Sequence, residues 1–186
     1  MPLRIIGGEL KSRRLRSVPG LATRPTADRI REAIFNILGP AVRDAQVLDL
    51  FAGTGAFGIE AISRGAGGAV FIEVGRGPFA VLTANIQACG LQNQTAAIRW
   101  DATRNLNCLR NRERPFQIAF MDPPYRRALV LPTLDNLHTA RCLDNGARIV
   151  VEQGDKDPLP VPGPPYMLQD QRRYGKTLVS FLTYVI

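Results

Sequence analysis

Two short stretches of this 186-residue chain combine residue types that could do chemistry. The first is Asp49-Leu50-Phe51-Ala52-Gly53-Thr54-Gly55-Ala56-Phe57-Gly58, in which three glycines follow an apolar run. Glycines there allow positive φ and let a ligand lie against backbone N–H groups where a helix starts. The second is Asp122-Pro123-Pro124-Tyr125, which closes another apolar run. Glu73 and Asp101 close two runs in between. Acids at the ends of successive parallel strands gather at one sheet edge, and open α/β sheets bind their ligands in the crevice outside that edge.

Glu73 lies 15 residues past Gly58 and could accept hydrogen bonds from both hydroxyls of a ribose. Nicotinamide dinucleotides and S-adenosylmethionine both use that geometry. Asp49 would repel a pyrophosphate but suits a cationic methionine moiety. Asp101 is placed to accept from an adenine amino group, with the Ala102 N–H opposite the ring. Phe51 and Thr54 complete the loop around such a cofactor. The plainer alternatives are a helix cap for Asp101 and a structural acid for Asp49.

The Asp-Pro-Pro-Tyr stretch fits methylation of an exocyclic amine on a nucleobase. Such an amine is a poor nucleophile, because its lone pair is delocalised into the ring. The Asp122 carboxylate and the Pro123 carbonyl can each accept one N–H, turning the lone pair toward a methyl donor. Proline fixes the carbonyl direction because its φ is locked near −65°. Pro124 continues the turn, and Tyr125 can stack on a base turned out of its helix. The plainer alternative is a turn that ends a strand.

These residues need a scaffold, and the pattern supplies one. Strands are expected at 47–51, 69–74, 96–100, 116–122 and 147–152, with helices at 56–64, 78–89, 102–112 and 127–141 between them. Residues 166–173 and 177–186 read as an antiparallel hairpin at the sheet edge. The expected fold is a doubly wound, mostly parallel seven-stranded α/β sheet. Before it, Ile30, Ile34, Ile37 and Leu38 form one helical stripe ended by Gly39-Pro40, with Thr26 as its N-cap. Residues 1–22 read as a basic β-hairpin extension, and residues 23–186 as the main domain. If 11–18 is a strand, Arg14 and Arg16 share one face and Lys11 and Arg13 the other.

The formal net charge is +8, and residues 1–43 hold nine Lys/Arg against three Asp/Glu. That asymmetry suggests a polyanion gripped by the N-terminal segment, through Arg4, Lys11, Arg13, Arg14, Arg16 and Arg24. A solvated, arginine-rich surface is the bland alternative. Cys89, Cys108 and Cys142 have no metal-site spacing, and the single histidine, His138, excludes a Ser-His-Asp triad that would need a partner elsewhere on the chain's motifs. No metal is expected. Neither a signal-peptide core nor a 20-residue apolar span is evident, so a cytoplasmic, membrane-free protein is expected.

RIIGGELKSRRL (4–15), TRPTADRIREAIFNIL (23–38), VLDLFAGTGAFGIEAISRGA (47–66), MDPPY (121–125) and RRYGKTLVSFL (172–182) together resemble the bacterial 16S ribosomal RNA guanine-N2-methyltransferase family known as RsmD. The resemblance runs nearly end to end. It implies a Rossmann-like class I methyltransferase that uses S-adenosylmethionine on the N2 amine of one guanine in 16S rRNA, within a 30S particle. It carries Gly53, Gly55 and Glu73 to the cofactor, Asp101 to its adenine, and Asp122 to Tyr125 to the target amine. Arg24 and Thr26 would line the cofactor's methionine end or the RNA entrance. Val74 to Pro78 depart from the family's usual continuation after the acid. The residues alone also admit a DNA adenine-N6 methyltransferase or a non-catalytic RNA-binding assembly factor. A short arm without a separate recognition region favours RNA, and a monomer is expected.

Overall fold

Uninterrupted apolar runs become strands here, and apolar residues spaced three or four apart become helices. The computed structural model describes residues 3–18, 25–110, 112–124, 128–156 and 163–186, with Pro25 and Thr26 described by their backbone alone. Helix α1 (Pro25–Leu38) leads into β1 (Gln46–Leu50), α2 (Ala56–Ser63), β2 (Gly68–Ile72), α3 (Arg76–Cys89) and β3 (Thr95–Ile98). Then follow β4 (Phe116–Met121), α4 (Val130–Ala140), β5 (Leu143–Gly154), β6 (Tyr166–Tyr174) and β7 (Thr177–Tyr184). The seven strands form one sheet in the order β3-β2-β1-β4-β5-β7-β6. Strands β1 to β5 pair in parallel, whereas β7 runs antiparallel to both β5 and β6. The order reverses between β1 and β4, and a crevice opens where such a reversal occurs.

Strands β1, β2 and β4 are buried on both faces, which is why each reads as a nearly continuous apolar run, whereas β3 at the sheet edge is only partly covered. Val47, Phe71, Ile118, Phe120 and Val150 pack on one face with Ile30, Ile34 and Leu38 of α1 and with Ile59 and Leu82 of α2 and α3. Leu48, Ile72, Ala119, Met121 and Ile149 pack on the other with Leu134 and Leu137 of α4. Asp49 and Asp122 alternate with Leu48 and Met121, so both belong to the first face.

Several sequence expectations need correction. No helix spans 102–112 among the described residues; only a 3-10 turn forms at Asn107–Leu109. Ala102, Leu106 and Leu109 are buried at helical spacing, yet side chains satisfy the backbone instead. Asp101 accepts from Thr103 N at 3.0 Å, and Asn105 accepts from Asn107 N at 3.1 Å. Such short side-chain bonds compete with helix formation. Residues 3–18 turn back on themselves as a hairpin with one antiparallel bridge, Arg4 to Arg14. Ile5 N donates to Arg13 O at 2.9 Å, Ser12 N to Ile5 O at 2.8 Å and Leu15 N to Leu3 O at 2.9 Å, but neither leg is long enough to make a regular strand. Thr26 lies inside the first turn of α1 rather than at its N-cap. Strand β5 extends to Leu143–Gly154 because β7 pairs along it from Arg148 to Gly154.

Side chains of α1 and α2 hold this N-terminal arm on the domain. Leu3, Ile5 and Leu15 join the first-face core. Glu60, fully buried in α2, accepts Ile6 N and Gly7 N, each at 2.8 Å, and Arg64 Nε at 2.7 Å. Arg31 lies beside it, with Nε 3.7 Å from the carboxylate, and donates to the Arg4 carbonyl at 2.6 Å. Ser63 adds bonds to Gly7 O and from Leu10 N. Gly8 has φ +76°, and a Cβ there would run into the Ser63 carbonyl. Replacing Glu60 with Ala leaves buried Arg31 with Asp28, 3.1 Å from its Nη2, as its remaining carboxylate, and leaves two arm amides unpaired. The variant is expected to lose about 3–5 kcal/mol in urea unfolding and to be cut faster by protease within residues 3–18. An arm equally protected in the variant would show that another contact holds it.

Candidate active site

The chain leaves β1 through Phe51 (φ 59°) and Gly53 (φ 55°), then enters α2 after Gly55 (φ 80°). Gly55 has no space for a side chain, since its Cβ would lie 2.5 Å from Leu82. This loop borders a cleft of about 490 Å³, a size suited to a small ligand. Asp49, Phe51, Gly53, Thr54, Phe57, Asp122 and Glu152 line it. Leu3, Ser17 and Val18 of the arm form part of its wall, with Arg31 of α1 and Lys176 of the β6–β7 turn.

Buried Asp49 accepts Gly58 N at 2.9 Å. Burial pushes its carboxyl up to about 7; the Gly58 bond opposes this, and the charge of Glu73 adds to it. Asp122 follows β4, with Pro123 buried and Pro124 exposed beside it. Surrounding protein, then the charges of Glu152 and Asp49, push the Asp122 carboxyl well above the ordinary carboxylate range. By area Asp122 is exposed on the cleft, so water tempers its desolvation, and the direction rests on three acids sharing one cleft. A cation entering there would relieve their mutual repulsion.

Glu73 does not line the cleft but braces it, accepting Gly53 N at 2.8 Å and Gly75 N at 2.6 Å. Asp101 lies apart, in a hollow lined by Val74, Arg99, Trp100, Arg104 and Asn105. One of its oxygens accepts both Thr103 N and Thr103 Oγ1, and those bonds lower its carboxyl pKa. Ala102 is buried, and its carbonyl accepts Asn136 Nδ2 at 2.8 Å. Arg4, Lys11, Arg13, Arg14 and Arg16 are all exposed on the arm. Arg13 Nη1 also reaches the Ala88 carbonyl at 3.0 Å. Tyr125 and Arg24 lie outside the described residues, as does the Thr26 side chain.

Sequence reasoning missed Asn85, Glu60, Glu152 and Lys176. Asn85 is buried on α3; it accepts Arg16 N at 2.7 Å and donates to Arg16 O and, at 2.9 Å, to Thr54 O. One amide thus ties the arm to the glycine loop. Its signal was present: Leu82, Asn85, Ile86 and Cys89 form one buried stripe with a polar residue in it.

The family model described as Conserved hypothetical protein 95 matches residues 3–183. The chain belongs to that family. Ribosomal RNA small subunit methyltransferase D of Escherichia coli (strain K12) is 39% identical over 158 residues, 85% of this chain and 78% of that one. YlbH of Bacillus subtilis (strain 168) is 34% identical over 178 residues, 96% of this chain and 97% of its own. The solved structure of yhhF from Escherichia coli gives a TM-score of 0.86 at 35% identity, covering 100% of this chain and 99% of that chain. SMU.776, solved with S-adenosylhomocysteine (SAH), gives a TM-score of 0.66 at 15% identity over 87% of this chain and 50% of that chain, a likeness of fold.

The cleft fits S-adenosylmethionine (SAM), a methyl donor that carries a sulfonium cation. The acids of the cleft, Asp49, Asp122 and Glu152, favour a cationic ligand. Among the described residues no side-chain group is placed to hold a metal ion, and no helix is long and apolar enough to cross a membrane.

Asp49 titrates upward on folding, so its contribution to stability is full below the ordinary carboxylate range and is lost as pH rises toward about 7. Asp49→Asn keeps an acceptor for Gly58 and is expected to melt above the native chain at pH 8. That advantage should shrink as pH falls toward 4. Conversely, SAM affinity of the native protein should rise about tenfold from pH 6 to 8, less for SAH, which lacks the sulfonium charge. Calorimetric titration checks this, and a flat SAM profile would remove Asp49 from cation binding.

Proposed function

We propose that this protein methylates the exocyclic N2 amine of a guanine in 16S ribosomal RNA, acting as a monomer on the assembled 30S subunit in the cytoplasm. The observation that carries the reading is the placement of Asp122 and Pro123. They follow β4, and Asp122 lines the same cleft as Asp49 and the glycine loop, with Pro123 next to it in the chain. The names of the relatives support ribosomal RNA as the substrate.

SAM supplies a methyl carbon on a cationic sulfur, and that bond breaks with both electrons returning to sulfur. The residues here do the orienting. Asp49 faces the cationic methionine end, Gly53 and Thr54 border it, and Glu73 holds the loop within reach of the ribose. The hollow beside Val74 and Asp101 takes the adenine. The Asp122 carboxylate and Pro123 carbonyl accept the two N–H groups of the amine, so its lone pair points along the line of transfer. As the new C–N bond forms, one amine proton passes to Asp122 and from there to water. Positioning of this kind can supply roughly 7–11 kcal/mol. Tyr125 stacks on the base in this reading.

The arm presents its cations to solvent while its apolar residues anchor it. Phosphate contacts from such a surface give affinity that falls with salt. Replacing Arg14 and Arg16 with Ala should weaken binding to 30S particles and reduce the log–log salt slope by about 1 per arginine. An unchanged slope would take the arm off the phosphates.

Tritiated SAM with 30S particles, free 16S rRNA and duplex DNA, followed by nucleoside digestion, tests the reaction itself. Label should appear as N2-methylguanosine from 30S particles. N6-methyladenine in DNA would overturn the substrate, and no label with SAM still bound would favour a binding factor. Asp122→Ala should slow transfer at least about 100-fold while SAM binding stays within a few-fold.

A further inference from the structure

The cleft contains one more acid than methyl transfer to an amine requires. Asp49 is engaged by Gly58 and buried, and Asp122 suffices for one amine N–H. Glu152 is the third. Its position follows from strand register: β4 and β5 pair in parallel with Met121 opposite Val151, so Asp122, just past the end of β4, comes level with Glu152 of β5. Residues level on adjacent strands project to the same face, and both line the same cleft. The charge of Glu152 is felt at Asp122.

The bases that carry exocyclic amines differ in the ring atom beside that amine. Guanine has N1–H next to its N2 amine, two kinds of donor side by side. Adenine has an unprotonated N1 beside N6, and cytosine an unprotonated N3 beside N4, so each places an acceptor there. An acid next to the amine-binding acid therefore matches guanine and sets lone pair against lone pair with the other two. Flipped bases are read by such bonds to this edge.

We propose that Glu152 accepts the N1–H of the target guanine and so makes the cleft selective for guanine over adenine and cytosine. The inference rests on the guanine-N2 reading above and names the residue that enforces it. An N1–H held by a carboxylate also returns electron density to the ring, which strengthens the adjacent amine as a nucleophile. Lys176, on the wall of the same cleft, is a donor of the kind that guanine O6 accepts from. Of the two, only Glu152 senses the N1 proton.

2-Aminopurine isolates that proton, because it keeps the 2-amine and carries an unprotonated N1. Once the modified nucleotide is mapped, 30S particles are reconstituted with guanine or 2-aminopurine at that position. Single-turnover transfer is measured with the native enzyme and with Glu152→Gln, whose amide can donate to an unprotonated N1. The native enzyme should prefer guanine, and Glu152→Gln should cut the guanine-to-2-aminopurine rate ratio by about tenfold or more. Loss of O6 is common to both enzymes and cancels in that comparison. The fluorescence of 2-aminopurine in the presence of SAH gives a binding readout without turnover, and it should show tighter capture by Glu152→Gln.

Equal loss on both bases would assign Glu152 a structural role and overturn the proposal while leaving guanine methylation intact. Native enzyme that methylates 2-aminopurine as fast as guanine would overturn it as well, whatever the variants do. If no guanine is methylated at all, the parent reading fails and takes the proposal with it. Glu152→Ala serves if the glutamine variant does not fold: it should slow transfer to guanine more than to 2-aminopurine.

Discussion

The carboxylate of Glu60 is the contact on which the arm, and through it one wall of the cleft, depends. Charges inside a protein cost more than they return unless every oxygen finds a donor. Glu60 finds them in Ile6 N, Gly7 N and Arg64 Nε, with Arg31 alongside. Residues 3–18 close a short hairpin through their own backbone bonds, and where that hairpin sits on the domain is set by what it meets on α2. Because the donors are backbone amides, the clamp specifies where the main chain runs and leaves the arm's side chains open. Arg4, Lys11, Arg14 and Arg16 use that freedom to face water.

A second constraint opposes stability. Asp49, Asp122 and Glu152 end or approach the ends of three adjacent strands, β1, β4 and β5, on one face of the sheet. Hydrophobic packing alone would place apolar residues at those positions, as it does with Val47, Phe120 and Val150 on the same face. Desolvation first, then the charge of Glu73 at Asp49 and those of Glu152 and Asp49 at Asp122, push both carboxyls toward their neutral forms. A cationic ligand relieves the penalty without a proton, so the site favours occupancy by one sign of charge. Stability given up at such a site is a common mark of function.

Much of this was legible in the sequence, for physical reasons that also explain the failures. Parallel strands buried on both faces give apolar runs, and 47–50, 69–72 and 116–121 fall inside the expected ones. The glycine loop and Asp122 to Pro124 are contiguous, so their chemistry could be read locally. The segment 102–112 failed because Ala102, Leu106 and Leu109 carry a helical period while Asp101 and Asn105 cap the backbone themselves. Spacing reports which residues are buried; it does not report which groups take up the backbone hydrogen bonds. Glu60 and Asn85 were invisible for the opposite reason. Their partners are main-chain atoms more than fifty residues away, and a backbone amide leaves no mark in a sequence. The mark lay in the residues themselves: an acid inside Ile59-Glu60-Ala61-Ile62, and an amide on the Leu82, Ile86, Cys89 stripe. A polar group on an apolar face needs a partner, and here the arm supplies partners to both.

These two constraints meet at Asn85, which holds Arg16 by both backbone groups and Thr54 by its carbonyl. A basic arm that only floated near the domain could attract a polyanion but could not fix its register against the cleft. Tied to the glycine loop by a buried amide and to α2 by a buried carboxylate, the arm carries its cations at a fixed position relative to Asp122. Under the proposed function this separates two tasks that a small protein must both perform. Phosphate contacts on a rigid arm supply affinity and orientation without reading sequence, and the edge of a single extruded base is left to the acids in the cleft. A separate recognition domain is then unnecessary, provided the folded substrate presents that base in only one place.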